Sequence, residues 1–239
     1  MRLPSGLKIK LFMDGVDLEE MRRAYDSRMV QGFTTNPTLM RKGGITHYEE
    51  FAHAALKIIP DLPISFEVFS DDFEEMEREA RIIAQWGSNV YIKIPVCNTR
   101  GHSSMSLVKK LSAEGFALNI TAVMTLEQVR AINDVISHDA RAIVSIFAGR
   151  IADTGRDPVP MMTEAAKILA GKPRAELLWA SPRELLNIFH AEWSGCHIIT
   201  ATSDVIKKIP LIDKDLHEYS IETVKMFHND AKASGYRLG

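Results

Sequence analysis

Lys93 stands inside Val90-Tyr91-Ile92-Lys93-Ile94-Pro95-Val96, a run that otherwise reads as a buried strand. Lysine is rarely buried unless it is paired or put to use. Burying an amine disfavours its ammonium form, and the free amine attacks carbonyl carbons. Schiff-base chemistry is the sharp expectation; a lysine that snorkels from a strand end to water is the plain one. Glu67, in Ser65-Phe66-Glu67-Val68, poses the same problem with the opposite charge, because a buried carboxylate needs a partner.

Other polar residues fall at the ends of apolar runs: Asp14, Thr34-Thr35-Asn36-Pro37, Asn119-Ile120-Thr121, Ser145 and Phe147 before Gly149-Arg150, Ser181 with Arg183 just beyond, and Thr200 and Thr202. Each has a plain reading. Asp14 could cap the following helix, Asn36-Pro37 is a common turn pair, Thr121 suits any strand, and Ser181 suits a helix cap. Arg150 and Arg183 could be surface residues. Jointly, two arginines at neighbouring strand ends and a serine at a helix start make a phosphate clamp. It would sit beside an amine and two carboxylates fit for proton transfer.

The elements that must position these residues alternate from end to end. Candidate strands are Ile9–Met13, Gly32–Thr35, Ile64–Phe69, Val90–Ile94, Ala117–Thr121, Ala142–Phe147, Glu176–Ala180 and His197–Ala201. Between them, Leu18–Met29, Tyr48–Ile59, Phe73–Trp86, Met105–Ser112, Leu126–Ile136, Met161–Ala170, Pro182–Trp193 and Asp204–Ile209 mostly carry apolar residues at helical spacing. Ser70-Asp71-Asp72, Asp157-Pro158 and Ser181-Pro182 read as helix starts. Gly87, Gly115 and Gly195 read as left-handed helix ends. Eight strand–helix units at a mean spacing of roughly 30 residues predict a (β/α)8 barrel of the TIM type, its active site at the C-terminal strand ends. An open doubly wound sheet is the alternative, but no Gly-rich phosphate fingerprint follows the first strand. No linker divides residues 1–239, so one barrel domain is expected. A last helical segment, about Leu216 to Ala233 and appended to the barrel, could cap it or pack on a neighbouring subunit.

Composition narrows the class. The chain has 239 residues, 46% hydrophobic and 25% charged, with a formal net charge of −2. That balance argues against a nucleic-acid surface. No apolar run approaches a membrane span, and Met1 to Lys10 shows no apolar signal-peptide core. Two cysteines, Cys97 and Cys196, are too few for a disulfide framework and suggest a reducing cytoplasm. No His/Cys/Asp cluster has ligand spacing, so neither a metal nor another cofactor is expected.

Taken in order, Thr34-Thr35-Asn36-Pro37-Thr38, Ile92-Lys93-Ile94-Pro95, Asn119-Ile120-Thr121, Ser145-Ile146-Phe147-Ala148-Gly149-Arg150 and Ala180-Ser181-Pro182-Arg183 resemble the motifs of the transaldolase family. These are class I Schiff-base barrels that include fructose-6-phosphate aldolases. The resemblance implies roles. Lys93 would form the Schiff base with a ketose phosphate, and Asp14 would handle the proton of the hydroxyl at the cleaved bond. Glu67 and Thr121 would hold a catalytic water. Asn36, Asn119 and Ser145 would bind hydroxyls of the dihydroxyacetone unit. Arg150, Ser181 and Arg183 would bind the phosphate, and Phe147 would wall the water. Sugar phosphates are the implied partners, and a homo-oligomer is expected by resemblance.

Two enzyme readings follow from it, and a third reading, of another class, stands beside them. A transaldolase passes the three-carbon adduct to an aldose phosphate; a fructose-6-phosphate aldolase releases it as dihydroxyacetone. Glu67 and Phe147 are the pair that the resemblance associates with transfer, where the aldolases tend to have Gln and Tyr. A phenol beside the water could help protonate the enamine; Phe147 cannot. The third is a barrel that binds a sugar phosphate or pyridoxal phosphate without catalysis, against which the full acid–base set argues. One stretch departs from the family. Ile94-Pro95-Val96-Cys97-Asn98-Thr99-Arg100-Gly101 has a cysteine near where a threonine is usual, which leaves the acceptor open to a specialised sugar phosphate. Cys97 itself reads as a small packed residue.

Overall fold

All eight expected strands form and close into one parallel barrel in chain order in the computed structural model, which describes residues 3–4 and 6–237. They are β1 (Lys10–Asp14), β2 (Gly32–Thr34), β3 (Ile64–Glu67), β4 (Val90–Pro95), β5 (Leu118–Val123), β6 (Ala142–Ile146), β7 (Ala175–Trp179) and β8 (Ile198–Ala201). The opening stretch Met1–Lys10 and the chain end at 239 lie partly outside the described residues.

Strand side chains alternate between faces, and this period sorts the barrel interior into layers. Lys10 and Glu176 pair at 2.7 Å at the N-terminal end. Two residues further along these strands come Phe12 and Leu178, which pack with Ile143, Ala180 and Ile198, against Tyr91 and Phe147, as an apolar plug. Gly32 leaves room for this plug, since a Cβ there would lie 2.4 Å from Phe12 Cζ. Two residues beyond the plug the same inward positions become polar: Asp14, Thr34, Lys93, Ser145 and Thr200. The opposite faces of the strands feed the larger core between barrel and helices, with Leu11, Phe33, Phe66, Ile92, Ile94, Ile120, Val144, Leu177 and Ile199 all buried.

The surrounding helices are α1 (Leu18–Asp26), α2 (Pro37–Lys42), α3 (Tyr48–Ile58), α4 (Phe73–Ala84), α5 (Met105–Ala113), α6 (Leu126–Val135), α7 (Ala148–Ala152), α8 (Val159–Leu169), α9 (Leu186–Trp193), α10 (Ser203–Ile206) and α11 (Leu216–Ala233). Short α2 and α7 were not expected. The cap of α1 is Asp17, whose carboxylate accepts from the Glu20 N–H, so Asp14 is free of that duty. Asp72 caps α4 as its sequence suggests. Gly115 and Gly195 are left-handed, whereas Gly87 is not.

Ser181-Pro182 does not start a helix. Ser181 is itself left-handed at φ 63°, and α9 begins only at Leu186. The carbonyl of Ser181 presses on Gly149, where a Cβ would sit 1.6 Å from that oxygen. The Asn187 side chain reaches back to accept from the N–H groups of Arg183 and Glu184 at 2.8 and 3.3 Å. The intervening turn therefore has its own hydrogen bonds and delays the helix.

None of the residues of α11 is buried, and Leu216, Val224 and Phe227 are largely exposed. Among the described residues, no helix is long and apolar enough to cross a membrane.

Candidate active site

A cavity of about 590 Å³ opens at the C-terminal ends of the strands, and all eleven residues to which the resemblance gives roles line it. Strand register explains most of this convergence. Glu67 is the register partner of Lys93, and Lys93 of Asn119, so three inward side chains stand abreast on β3, β4 and β5. Asp14 pairs with Thr34 across β1 and β2.

Lys93 lies at the floor with 6% of its surface exposed. Its Nζ is 3.1 Å from Glu67 Oε2 and donates to the Thr35 carbonyl at 3.0 Å. Snorkelling is excluded, because the amine points into the cavity and is paired there. Asp14 accepts from Thr34 Oγ1 at 2.8 Å and from Asn36 Nδ2 at 3.2 Å. Thr34 Oγ1 also lies 2.6 Å from Thr200 Oγ1. Burial pushes the Asp14 carboxyl above its ordinary range; the Lys93 charge and the bonds from Thr34 and Asn36 pull it partway back. Asn36 also caps α2, its Oδ1 accepting from the Leu39 N–H. The turn reading of Asn36-Pro37 is thus replaced by a helix start.

On the other flank, Asn119 is fully buried. Ser145 Oγ donates to its Oδ1 at 2.6 Å, and its Nδ2 donates to Ser65 Oγ at 2.9 Å. Thr121 is buried and lines the cavity, yet its hydroxyl meets no hydrogen-bond partner among the described residues. The register slips just after it, between Ile120 and Val123, with Ala122 at φ 61°. This is a bulge, the device by which a strand re-aims a side chain beside a site. Ala122 and Ser181 are both left-handed and both line the cavity, so two strained non-glycine residues stand in its wall.

The mouth differs in kind. Arg150 and Arg183 are exposed. The Arg150 guanidinium rests over the Phe147 ring at 5.2 Å. Arg183 forms a two-pronged ion pair with Asp153, through Nε at 3.0 Å and through Nη2. That pairing holds the Asp153 carboxyl below its ordinary range.

Several contributors escape a reading of the sequence. Tyr48 bonds both to the N–H and to the carbonyl of Glu67. Ser65 holds Asn119, and only its inward strand parity could have marked it; Thr34 and Thr200, noted at their strand ends, were given no role there and hold Asp14 and each other. Asp153 follows Arg150 by three residues, a helical spacing that puts it near the mouth. Cys97 packs against the main core, as expected of a small packed residue, and pairs by a bridge with Ser103. Its loop is tied down by Asp71, which accepts from the Thr99 N–H and hydroxyl at 2.6 and 2.7 Å. Among the described residues, no three His, Cys, Asp or Glu side chains converge as a metal site.

Fold and cavity define a class: a (β/α)8 barrel with a lysine–carboxylate pair on adjacent strands and arginines at the mouth. The profile of the family described as Transaldolase/Fructose-6-phosphate aldolase matches residues 11–238, and the chain belongs to that family. It is 31% identical over 215 residues to "Probable transaldolase 2" of Listeria monocytogenes, covering 88% of this chain and 94% of that one. It is 32% identical over 228 residues to "Probable transaldolase" of Bdellovibrio bacteriovorus, covering 93% and 97%. Against "Probable transaldolase" of Thermoplasma volcanium it is 31% identical over 230 residues, covering 94% and 99%.

Proposed function

We propose that this chain is a transaldolase, transferring a dihydroxyacetone unit from a ketose phosphate of the fructose 6-phosphate type to an aldose phosphate. The observation that carries the reading is Lys93 Nζ, buried at the cavity floor 3.1 Å from a carboxylate, below a mouth with two arginines. The amine adds to the ketose carbonyl, and the carbinolamine loses water to give an iminium. Asp14 takes the proton of the hydroxyl on the far carbon of the bond to be broken, and that carbon becomes the aldehyde. That bond's electrons flow into the iminium, an enamine forms, and the shortened aldose phosphate leaves. The enamine then attacks the aldehyde of the acceptor, and the same steps run backward. Glu67 and the otherwise unpartnered Thr121 hydroxyl handle a water that carries protons to and from the carbinolamine. Asn36, Asn119 and Ser145 take the donor's hydroxyls, and Arg150, Ser181 and Arg183 its phosphate.

Phe147 favours transfer over release. It offers no hydroxyl to protonate the enamine, so the adduct persists until an aldehyde arrives. With fructose 6-phosphate and erythrose 4-phosphate, transfer is expected to outrun release of dihydroxyacetone. Equal release without acceptor would instead make the chain an aldolase. Borohydride with donor should add mass to Lys93, and a missing adduct at saturating donor would favour a non-catalytic binder. A homo-oligomer also suits the uncovered α11; light scattering that gave the mass of a single chain would refute it.

A further inference from the structure

The hydrogen-bond ladder between β2 and β3 stops one step before regular pairing would end. Phe33 N–H donates to the Pro63 carbonyl at 2.8 Å, and Thr35 N–H to the Ser65 carbonyl at 3.2 Å. In a regular parallel pair the next bond runs back, from the Glu67 N–H to the Thr35 carbonyl. Here the Glu67 N–H donates instead to Tyr48 Oη at 2.7 Å. The same hydroxyl donates to the Glu67 carbonyl at 3.1 Å. The strand could not have answered that carbonyl, because the next donor in line is Pro37, which has no N–H. The Thr35 carbonyl, relieved of its ladder partner, receives Lys93 Nζ at 3.0 Å.

One phenol thus stands in for a strand. It satisfies both backbone groups of Glu67 where β2 turns away into α2. It also leaves Thr35 open to the amine. Both protein groups that hold Lys93 Nζ, the Thr35 carbonyl and the Glu67 carboxylate, depend on it. Burial raises the Tyr48 hydroxyl well above its ordinary value, so it stays neutral and keeps its hydrogen at any physiological pH.

We propose that Tyr48 is a positioning residue for the Lys93 centre, diverting the Glu67 N–H from Thr35 so that the amine takes the Thr35 carbonyl. The assignment rests on the reading of Lys93 as the nucleophile. A purely structural Tyr48 is the competing account, since its ring packs on Phe69 at 4.5 Å, on Trp86 at 5.4 Å and on Phe66 at 6.1 Å.

Two variants separate the accounts. Tyr48→Phe keeps the ring and removes the hydroxyl. The ladder can then close by its regular bond, and Lys93 loses an acceptor. Displacing a reacting group by a fraction of an ångström to an ångström costs up to about 100-fold. In Tyr48→Phe, kcat and the rate of borohydride trapping on Lys93 should fall about 10- to 100-fold. KM for the donor and inhibition by inorganic phosphate should stay within about twofold. Trp86→Phe loosens the ring's packing and spares the hydroxyl; it should lower Tm while kcat holds. The proposal is overturned if Tyr48→Phe keeps wild-type kcat and trapping rate. It is equally overturned if Trp86→Phe, at a matching loss of Tm, loses kcat as much. Wild-type protein that traps no adduct on Lys93 would remove the underlying reading instead, a result that the Tyr48 variant cannot mimic.

Discussion

The floor and the mouth of the cavity are built on opposite plans. At the floor, Lys93, Glu67, Asp14 and Asn119 are mostly or wholly buried, and each has at least one fixed protein partner. At the mouth, Arg150 and Arg183 stand in solvent, one over an aromatic ring and the other on a half-exposed carboxylate. The difference follows from the chemistry at each end. Bond making and breaking gain from dipoles already in place and from low dielectric, where electrostatic terms are large. On the proposed function a phosphate enters and leaves at the mouth, and exposed arginines would hold it through water-screened charge. The floor should therefore govern kcat and the mouth KM.

Lys93→Ala tests the floor most severely. Turnover and borohydride trapping should vanish, while inorganic phosphate still competes at the mouth with near wild-type affinity. Residual trapping elsewhere in the chain would move the nucleophile.

Asp14→Asn is the next largest. Loss of a positioned acid–base group costs about 10²- to 10⁴-fold in turnover. Stability should move the other way. Burial raises the folded carboxyl above the ordinary value of 3.8. A raised carboxyl binds its proton more tightly in the folded state, so its contribution is favourable below 3.8 and is lost as pH rises through the folded value. Once the carboxyl ionises, the wild type bears the cost of a buried charge. Asp14→Asn should therefore gain stability relative to wild type as pH rises through the folded value, with the gap closing toward acid. Tm measured across pH checks this; a gap that widens toward acid would contradict the burial argument.

The contrast between floor and mouth also marks what was legible in the sequence. Lys93, Glu67, Asp14 and Asn119 could be read because strand alternation places them on one parity, and polar residues on that parity break an apolar run. All eight strands appeared within two residues of their expected ends for the same reason, with the largest differences at the ends of β3 and β5. Partnerships between these residues were not legible. Tyr48 meets Glu67 through the backbone, and Ser65 meets Asn119 across strands, so no local pattern encodes either. Short α7 was missed because Gly149, a poor helix former, sits in its first turn. It is there for want of space under Ser181, a non-local reason. The Ser181-Pro182 helix start misled because Asn187, further along, holds the turn that replaces it.

At the mouth, Arg150→Ala and Arg183→Ala should each raise donor KM about tenfold, the scale of one charge-assisted hydrogen bond of about 1.5–3 kcal/mol. kcat should stay within about threefold of wild type. The wild-type KM should rise with ionic strength, and each variant should lose part of that dependence. A fall in kcat with KM unchanged would mean that phosphate binding is spent at the floor, and the division between the two ends would fail.

Asp153→Asn has the smallest expected effect and bears most directly on the plan of the mouth. Asp153 ties Arg183 through two nitrogens, but it also sets a negative charge beside an arginine proposed to meet the phosphate. If the mouth acts through screened charge, removing that carboxylate leaves more of Arg183 for the anion. Donor KM should then fall about twofold at low salt, and the advantage should fade as salt rises. Thermal stability should not change measurably, because an exposed ion pair contributes little. A roughly tenfold rise in KM would mean instead that the tether aims Arg183, as strictly as Tyr48 is argued to aim Lys93. The mouth would then share the floor's plan, and the two ends would differ only in their wetness.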